Sequence, residues 1–145
     1  MVILIEQTLF IDMMDKDLKY CVVKFVKFIK DQLDIDKPFK VNLATIRDQD
    51  LKTYAYYDKV SGNIKVYTTG RGLADVLRSI AHEMTHHLQN QRQQLNVDHP
   101  DVGGKVENDA NAVAGQLVKK FGYEFPELAI YSKQFGVDNI PQDSV

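Results

Sequence analysis

A single cysteine, Cys21, is the only thiol in the 145 residues. No intrachain disulfide can form, no thiolate zinc knuckle can be built, and any metal must be held by histidine and carboxylate. Uncharged apolar runs are equally scarce. No stretch reaches the roughly 18–20 residues that a membrane span needs, so no membrane partner is expected. The opening run Met1-Val-Ile-Leu-Ile is broken by Glu6 and lacks a basic lead and a small-residue cleavage site. It reads as a first strand rather than a signal peptide, and the expected location is cytoplasmic. Charge of one sign is also missing. Eighteen Lys and Arg against 20 Asp and Glu give a net charge of -2, which offers no basic field for a phosphate backbone and argues against a nucleic-acid partner. There is no internal repeat, low-complexity tract or interdomain linker.

A chain that is 44% hydrophobic and 26% charged has the profile of one globular domain, here taken as residues 1–145 with a loosely docked tail at 136–145. Leu18, Cys21, Val22, Phe25, Val26, Ile29 and Leu33 recur every three or four positions, which predicts an amphipathic helix capped near Asp15. After Lys37-Pro38 the period changes to two, predicting a strand over 39–46. Residues 54–57 and 63–68 are aromatic and β-branched and predict a hairpin turning near Ser61-Gly62. With the N-terminal strand this makes a sheet of three or four strands. A long helix is predicted from Leu73 to about Gln94, a loop over 96–104, and a second helix from Lys105 to Phe121 ended by Gly122. A short helix is expected over 126–133. The fold class is α+β.

Inside the long helix lies His82-Glu83-Met84-Thr85-His86, an H-E-x-x-H pattern. Helical spacing puts the two imidazoles one turn apart on one face, close enough to share an ion with Zn–N bonds of about 2.0–2.1 Å. Glu83 lies beside that face, within reach of a water on the ion. The apolar stripe Leu73, Leu77, Ile80, Ala81, Met84 and Leu88 centres almost opposite, so one side of the helix anchors the core while the other presents the histidines to a cleft. The competing reading is of two surface histidines on an ordinary amphipathic helix. A third ligand is required, and the candidates are Asp98, His99, Asp101, Glu107 and Asp109. Glu107 is favoured: Ala110 and Ala114 share its helical face, and small residues there would let the two helices approach closely. His99 is the main competitor and Asp101 the next.

His82-Glu83-x-x-His86 followed by Glu107-x-x-Ala110-Asn111 resembles the gluzincin group of zinc metallopeptidases. The run Glu107-x-Asp109-Ala110-Asn111-x-x-Ala114 looks more specifically like the small ImmA/IrrE-type domains and short zincin-like proteins encoded by phages. The resemblance covers about residues 72–121. Metzincins are excluded, because Gln89 and Arg92 stand where that group has Gly and a third His.

The resemblance implies a zincin-like domain in which Zn2+ is held by His82, His86 and Glu107, with Glu83 as general base in peptide-bond hydrolysis. The partner would be a protein or peptide substrate. Candidate oxyanion donors are His87, Tyr123 and Tyr131, each of a type more often found in the core or on the surface. Asp109, Asn111 and Asp75 are candidates for orienting the histidines. An extended substrate would pair with a sheet edge, for which the strand 63–69, leading through Gly70-Arg71-Gly72 into the helix, is the natural choice. Tyr54, Tyr56, Tyr57 and Tyr67 are candidates to line it, and Arg71 reads as a solvated turn residue. The alternative function is a zincin-fold structural or binding component of a larger assembly, such as a phage virion, with weak or no proteolysis. A SprT-like role on DNA-bound proteins ranks low without a cysteine set or basic cluster.

Overall fold

Three helices and a small mixed sheet make up the computed structural model, which describes residues 16–44, 54–92 and 105–126. Helix α1 (Lys16–Leu33) buries the expected three-and-four stripe from Cys21 to Ile29, with Cys21, Val22, Phe25, Val26 and Ile29 essentially inaccessible. It stops because Asp34 turns left-handed (φ 56), so that Ile35 N–H donates to Lys30 C=O at 3.1 Å and Asp34 N–H to Asp31 C=O at 3.4 Å. This pair of bonds closes the last turn as a Schellman motif, with Asp in the place glycine usually takes.

The sheet has the order β1-β3-β2, with β1 at Lys40–Ala44, β2 at Ala55–Tyr57 and β3 at Asn63–Tyr67. Strand β1 runs parallel to β3 and β2 antiparallel, with Val41 opposite Ile64 and Ala55 opposite Val66. Val41, Leu43, Ile64 and Val66 face the core, as period-two alternation requires. The hairpin turns where expected, through Asp58–Gly62, and Gly62 takes φ +78. A Cβ at that position would stand 2.9 Å from the Pro38 carbonyl oxygen, so glycine is demanded by space as well as by backbone angle. One expectation is overturned here. Strand β3 lies between β1 and β2 and has no edge to offer a substrate, because residues 40–44 return alongside it in parallel.

Helix α2 (Leu73–Gln91) starts at an extended Gly72 without a side-chain cap. Arg71 braces this start from outside and is no solvated turn residue. Its guanidinium donates to Tyr67 C=O (2.8 Å), Asp75 C=O (3.0 Å) and Ser79 Oγ (2.7 Å), and it stacks under the Tyr54 ring at 4.8 Å. The end of β3 is thereby tied to the first turns of α2. The stripe Leu73, Val76, Leu77, Ile80, Ala81, Met84 and Leu88 is buried as expected, but every residue from Glu83 to Gln89 is buried too. This stretch is enclosed all round, not amphipathic, because α1, α3 and the hairpin each cover one side of it.

Helix α3 (Lys105–Glu124) buries Ala110, Ala114, Leu117 and Phe121. It runs past Gly122, where an end was expected. Phe121 packs on Phe25 (4.9 Å between centroids), Phe28 and Phe125, and Phe125 N–H donates to Phe121 C=O at 2.9 Å. The cost of about 1 kcal/mol for an internal glycine is outweighed by burial of the Phe121 ring, worth roughly 1.5–3 kcal/mol. Among the described residues no helix is long and apolar enough to cross a membrane. The expected first strand at 1–6, the Asp15 cap, the loop 96–104, the short helix beyond Pro126 and the tail at 136–145 lie outside the described residues.

Candidate metal centre

Packing of α3 across α2 brings a carboxylate to the two histidines. Glu107 Oε2 lies 3.1 Å from His82 Nε2, and Glu107 Oε1 lies 2.8 Å from His86 Nε2. The two imidazole Nε2 atoms are 3.1 Å apart, with the rings perpendicular at 89°. Ligands of a tetrahedral ion with bonds of about 2.0–2.1 Å stand roughly 3.3–3.4 Å from one another. The three donors therefore need to move apart by only a fraction of an ångström to surround one ion. Ala110 and Ala114, with no bulk between the helices, make this approach possible, as the small-residue row predicted.

His82, His86 and Glu107 form a group that can hold a metal ion, the one His/Cys/Asp/Glu cluster of this geometry among the described residues. Two imidazoles and one carboxylate suit zinc and its first-row neighbours. Of the competing ligands, Asp109 is exposed on α3, and Asp98, His99 and Asp101 lie outside the described residues.

Burial, reinforced by the neighbouring His86, holds the His82 imidazolium below its ordinary pKa, with Glu107 pulling the other way. The neutral form is the one that binds a metal. Glu83 stands beside His82 and is only 6% exposed. Burial and then the charge of Glu107 push it up to about 8. A carboxyl enclosed in this way is costly to a fold and is typical of a group kept for chemistry.

No family model, curated protein or solved structure matches this chain. The residues around the ligands therefore carry the reading.

Asn111, one of the three orienting residues expected from sequence, lies one turn beyond Glu107 and near enough to His82 for its side chain to favour the protonated ring. Asp75 lies two turns N-terminal of His82, and the structure does not bring it to the cluster. Sequence reasoning missed Gln89. Its Oε1 lies 2.8 Å from His86 Nδ1, and its Nε2 donates to Val106 C=O at 3.1 Å. The signal was present, since an amide three residues after a ligating histidine shares its helical face.

The expected oxyanion donors fare differently. His87 is buried, and its Nε2–H donates to Lys37 C=O at 3.0 Å. That bond makes Nδ1 an acceptor, filled by the Tyr57 hydroxyl at 2.7 Å, while Tyr57 in turn accepts from Asn90 Nδ2 at 3.0 Å. His87 has no N–H left for an oxyanion, and it works instead as the lock between α2 and the hairpin. Tyr123 is 74% exposed and sits sixteen positions along α3 from Glu107, about 24 Å away on the other side of the helix. Tyr131 lies outside the described residues. Of the tyrosines expected to line a substrate path, Tyr67 is buried, Tyr57 serves the lock, and Tyr54, just before β2, and Tyr56, on it, are exposed.

Proposed function

We propose that this chain is a zinc-dependent peptidase of the gluzincin type on a zincin-like scaffold, with His82, His86 and Glu107 as the metal ligands. The observation that carries it is the meeting of three metal-ligating atoms, two from α2 and one from α3, beside the buried carboxyl of Glu83. The donor chemistry fits the ion: neutral imidazoles, one carboxylate, and protein atoms from three directions.

Zinc, when bound there, supplies Lewis acidity that acidifies water and draws charge from a carbonyl. Positive charge at the ligands lowers the pKa of the neighbouring Glu83, so its resting form becomes the carboxylate. Glu83 takes a proton from water as the water oxygen bonds to the peptide carbonyl carbon. It returns that proton to the amine nitrogen as the C–N bond breaks, so the carboxylate is regenerated. Gln89 holds the His86 imidazole in orientation meanwhile, with Asn111 beside His82.

The test is metal content by inductively coupled plasma mass spectrometry on untagged protein, followed by hydrolysis of an unfolded casein substrate with and without a chelator. About one zinc per chain, with hydrolysis lost on chelation and restored by zinc, supports the proposal. A zinc-loaded chain that cleaves nothing would favour the binding or structural role instead.

A further inference from the structure

We infer that Gln89 is a positioning residue that sets two of the three metal ligands at once, presenting His86 through one end of its amide and Glu107 through the other. The inference rests on His86 and Glu107 being ligands of one ion.

The hydrogen bonds of this side chain can be assigned without ambiguity. Gln89 is only 5% exposed, so its amide must find partners within the protein. The Val106 carbonyl oxygen is purely an acceptor, so the atom 3.1 Å from it has to be the amide nitrogen. The amide oxygen is then the atom 2.8 Å from His86 Nδ1, and an oxygen acceptor there requires a hydrogen on that nitrogen. Whenever it is neutral, His86 is thereby fixed as the Nδ1–H tautomer. The nitrogen left to bind an ion is Nε2, the atom 2.8 Å from Glu107 Oε1 and 3.1 Å from His82 Nε2. In the other tautomer a hydrogen would occupy the direction from which an ion must be bound.

The second bond acts on the other helix. Val106 immediately precedes Glu107 in the first turn of α3 (Lys105–Glu124), where a helix has fewest internal restraints. A buried amide rooted in α2 fixes the backbone at that point, so the ligand-bearing turn keeps its height relative to the histidines. Glu107 is two-thirds enclosed at its side chain and is not otherwise clamped by a salt bridge to lysine or arginine among the described residues. One side chain thus couples the tautomer of one ligand to the placement of another. The partner is a neutral carboxamide where a ligating histidine often has a carboxylate, so the ring is oriented without adding negative charge beside Glu83 and Glu107.

The experiment compares wild type, Gln89→Leu and Gln89→Glu. Three readouts are taken: the His86 tautomer in metal-free protein from 15N shifts of the imidazole, the Val106 carbonyl 13C shift, and zinc affinity by competition with a chromophoric chelator. At a pH where the ring is neutral, wild type is expected to show the Nδ1–H tautomer. Gln89→Leu is expected to lose the single tautomer, shift the Val106 carbonyl resonance, and bind zinc about 10- to 100-fold more weakly. Gln89→Glu keeps an acceptor for His86 but has no donor for Val106, so it should retain the tautomer while moving the Val106 resonance. A folded Gln89→Leu protein with wild-type tautomer and wild-type zinc affinity would overturn the inference. Should that variant fold poorly, Gln89→Glu carries the test alone, and an unmoved Val106 resonance or a lost tautomer counts against it. A wild-type chain that takes up no zinc defeats the metal reading separately, because the tautomer and carbonyl shifts are read without metal.

Discussion

Glu107 Oε1 stands 2.8 Å from His86 Nε2, although residues 87–106 separate the two in sequence and they belong to different helices. The contact depends on α3 lying close against α2, which Ala110 and Ala114 permit. It joins a motif that is local in sequence to a carboxylate that is not.

Removing that carboxylate should remove the metal. Glu107→Ala leaves two neutral imidazoles and no anionic donor, and its zinc affinity is expected to fall by more than the ~10–100-fold typical of losing an orienting partner. Metal content after dialysis against a mild chelator reads this directly. A stoichiometry equal to wild type would exclude Glu107 as a ligand.

Glu83→Gln separates binding from catalysis. The amide is isosteric and lies outside the ligand set, so zinc should be retained, while loss of the proton acceptor should slow peptide hydrolysis by at least about 10²–10⁴-fold. Unchanged cleavage by the zinc-loaded variant would defeat the role given to Glu83.

The same substitution has an effect on stability that needs no substrate. In metal-free protein, burial pushes Glu83 up to about 8 from an ordinary 4.5. Between these values the unfolded chain releases the proton and the folded chain keeps it. Stability contributed below the lower pKa is therefore lost progressively as pH rises through the window. Glu83→Gln removes this dependence, so its melting temperature should gain on wild type between about pH 5 and about pH 8, with metal chelated throughout. A wild-type-to-variant difference that stays constant across that range would contradict the assignment.

Tyr57→Phe tests the lock between α2 and the hairpin. The missing hydroxyl deprives His87 Nδ1 of its donor and Asn90 of one acceptor, both in a part-buried setting. A loss of about 1–3 kcal/mol is expected in urea unfolding, because buried polar groups are left unsatisfied. Zinc stoichiometry should be unaffected, since neither group touches the ligand cluster.

Much of the helical architecture was legible because its signals are short-range. The three-and-four spacing on α1 and α2 marks the buried stripes, and the Gly62 turn marks the hairpin. The end of α3 was not, because a glycine signals a stop only when nothing beyond it is buried, and Phe121 and Phe125 are packed on Phe28. Strand order was also hidden. Alternation predicts that residues 63–67 form a strand, but which neighbours flank it is fixed by long-range pairing with residues 40–44 and 55–57.

For the candidate site, the sequence by itself determined that two imidazoles share one helical face with Glu83 next to them, since a helix of 3.6 residues per turn leaves no other arrangement for H-E-x-x-H. It also narrowed the third ligand to a few downstream residues. Only the tertiary structure brought Glu107, of the described candidates, to the histidines, enclosed Glu83, diverted His87 into a lock, and put Gln89 between His86 and the turn that bears Glu107. These are outcomes of how α3 and the hairpin pack around α2. Packing is settled by contacts between residues far apart in the chain, which no periodicity within one segment records.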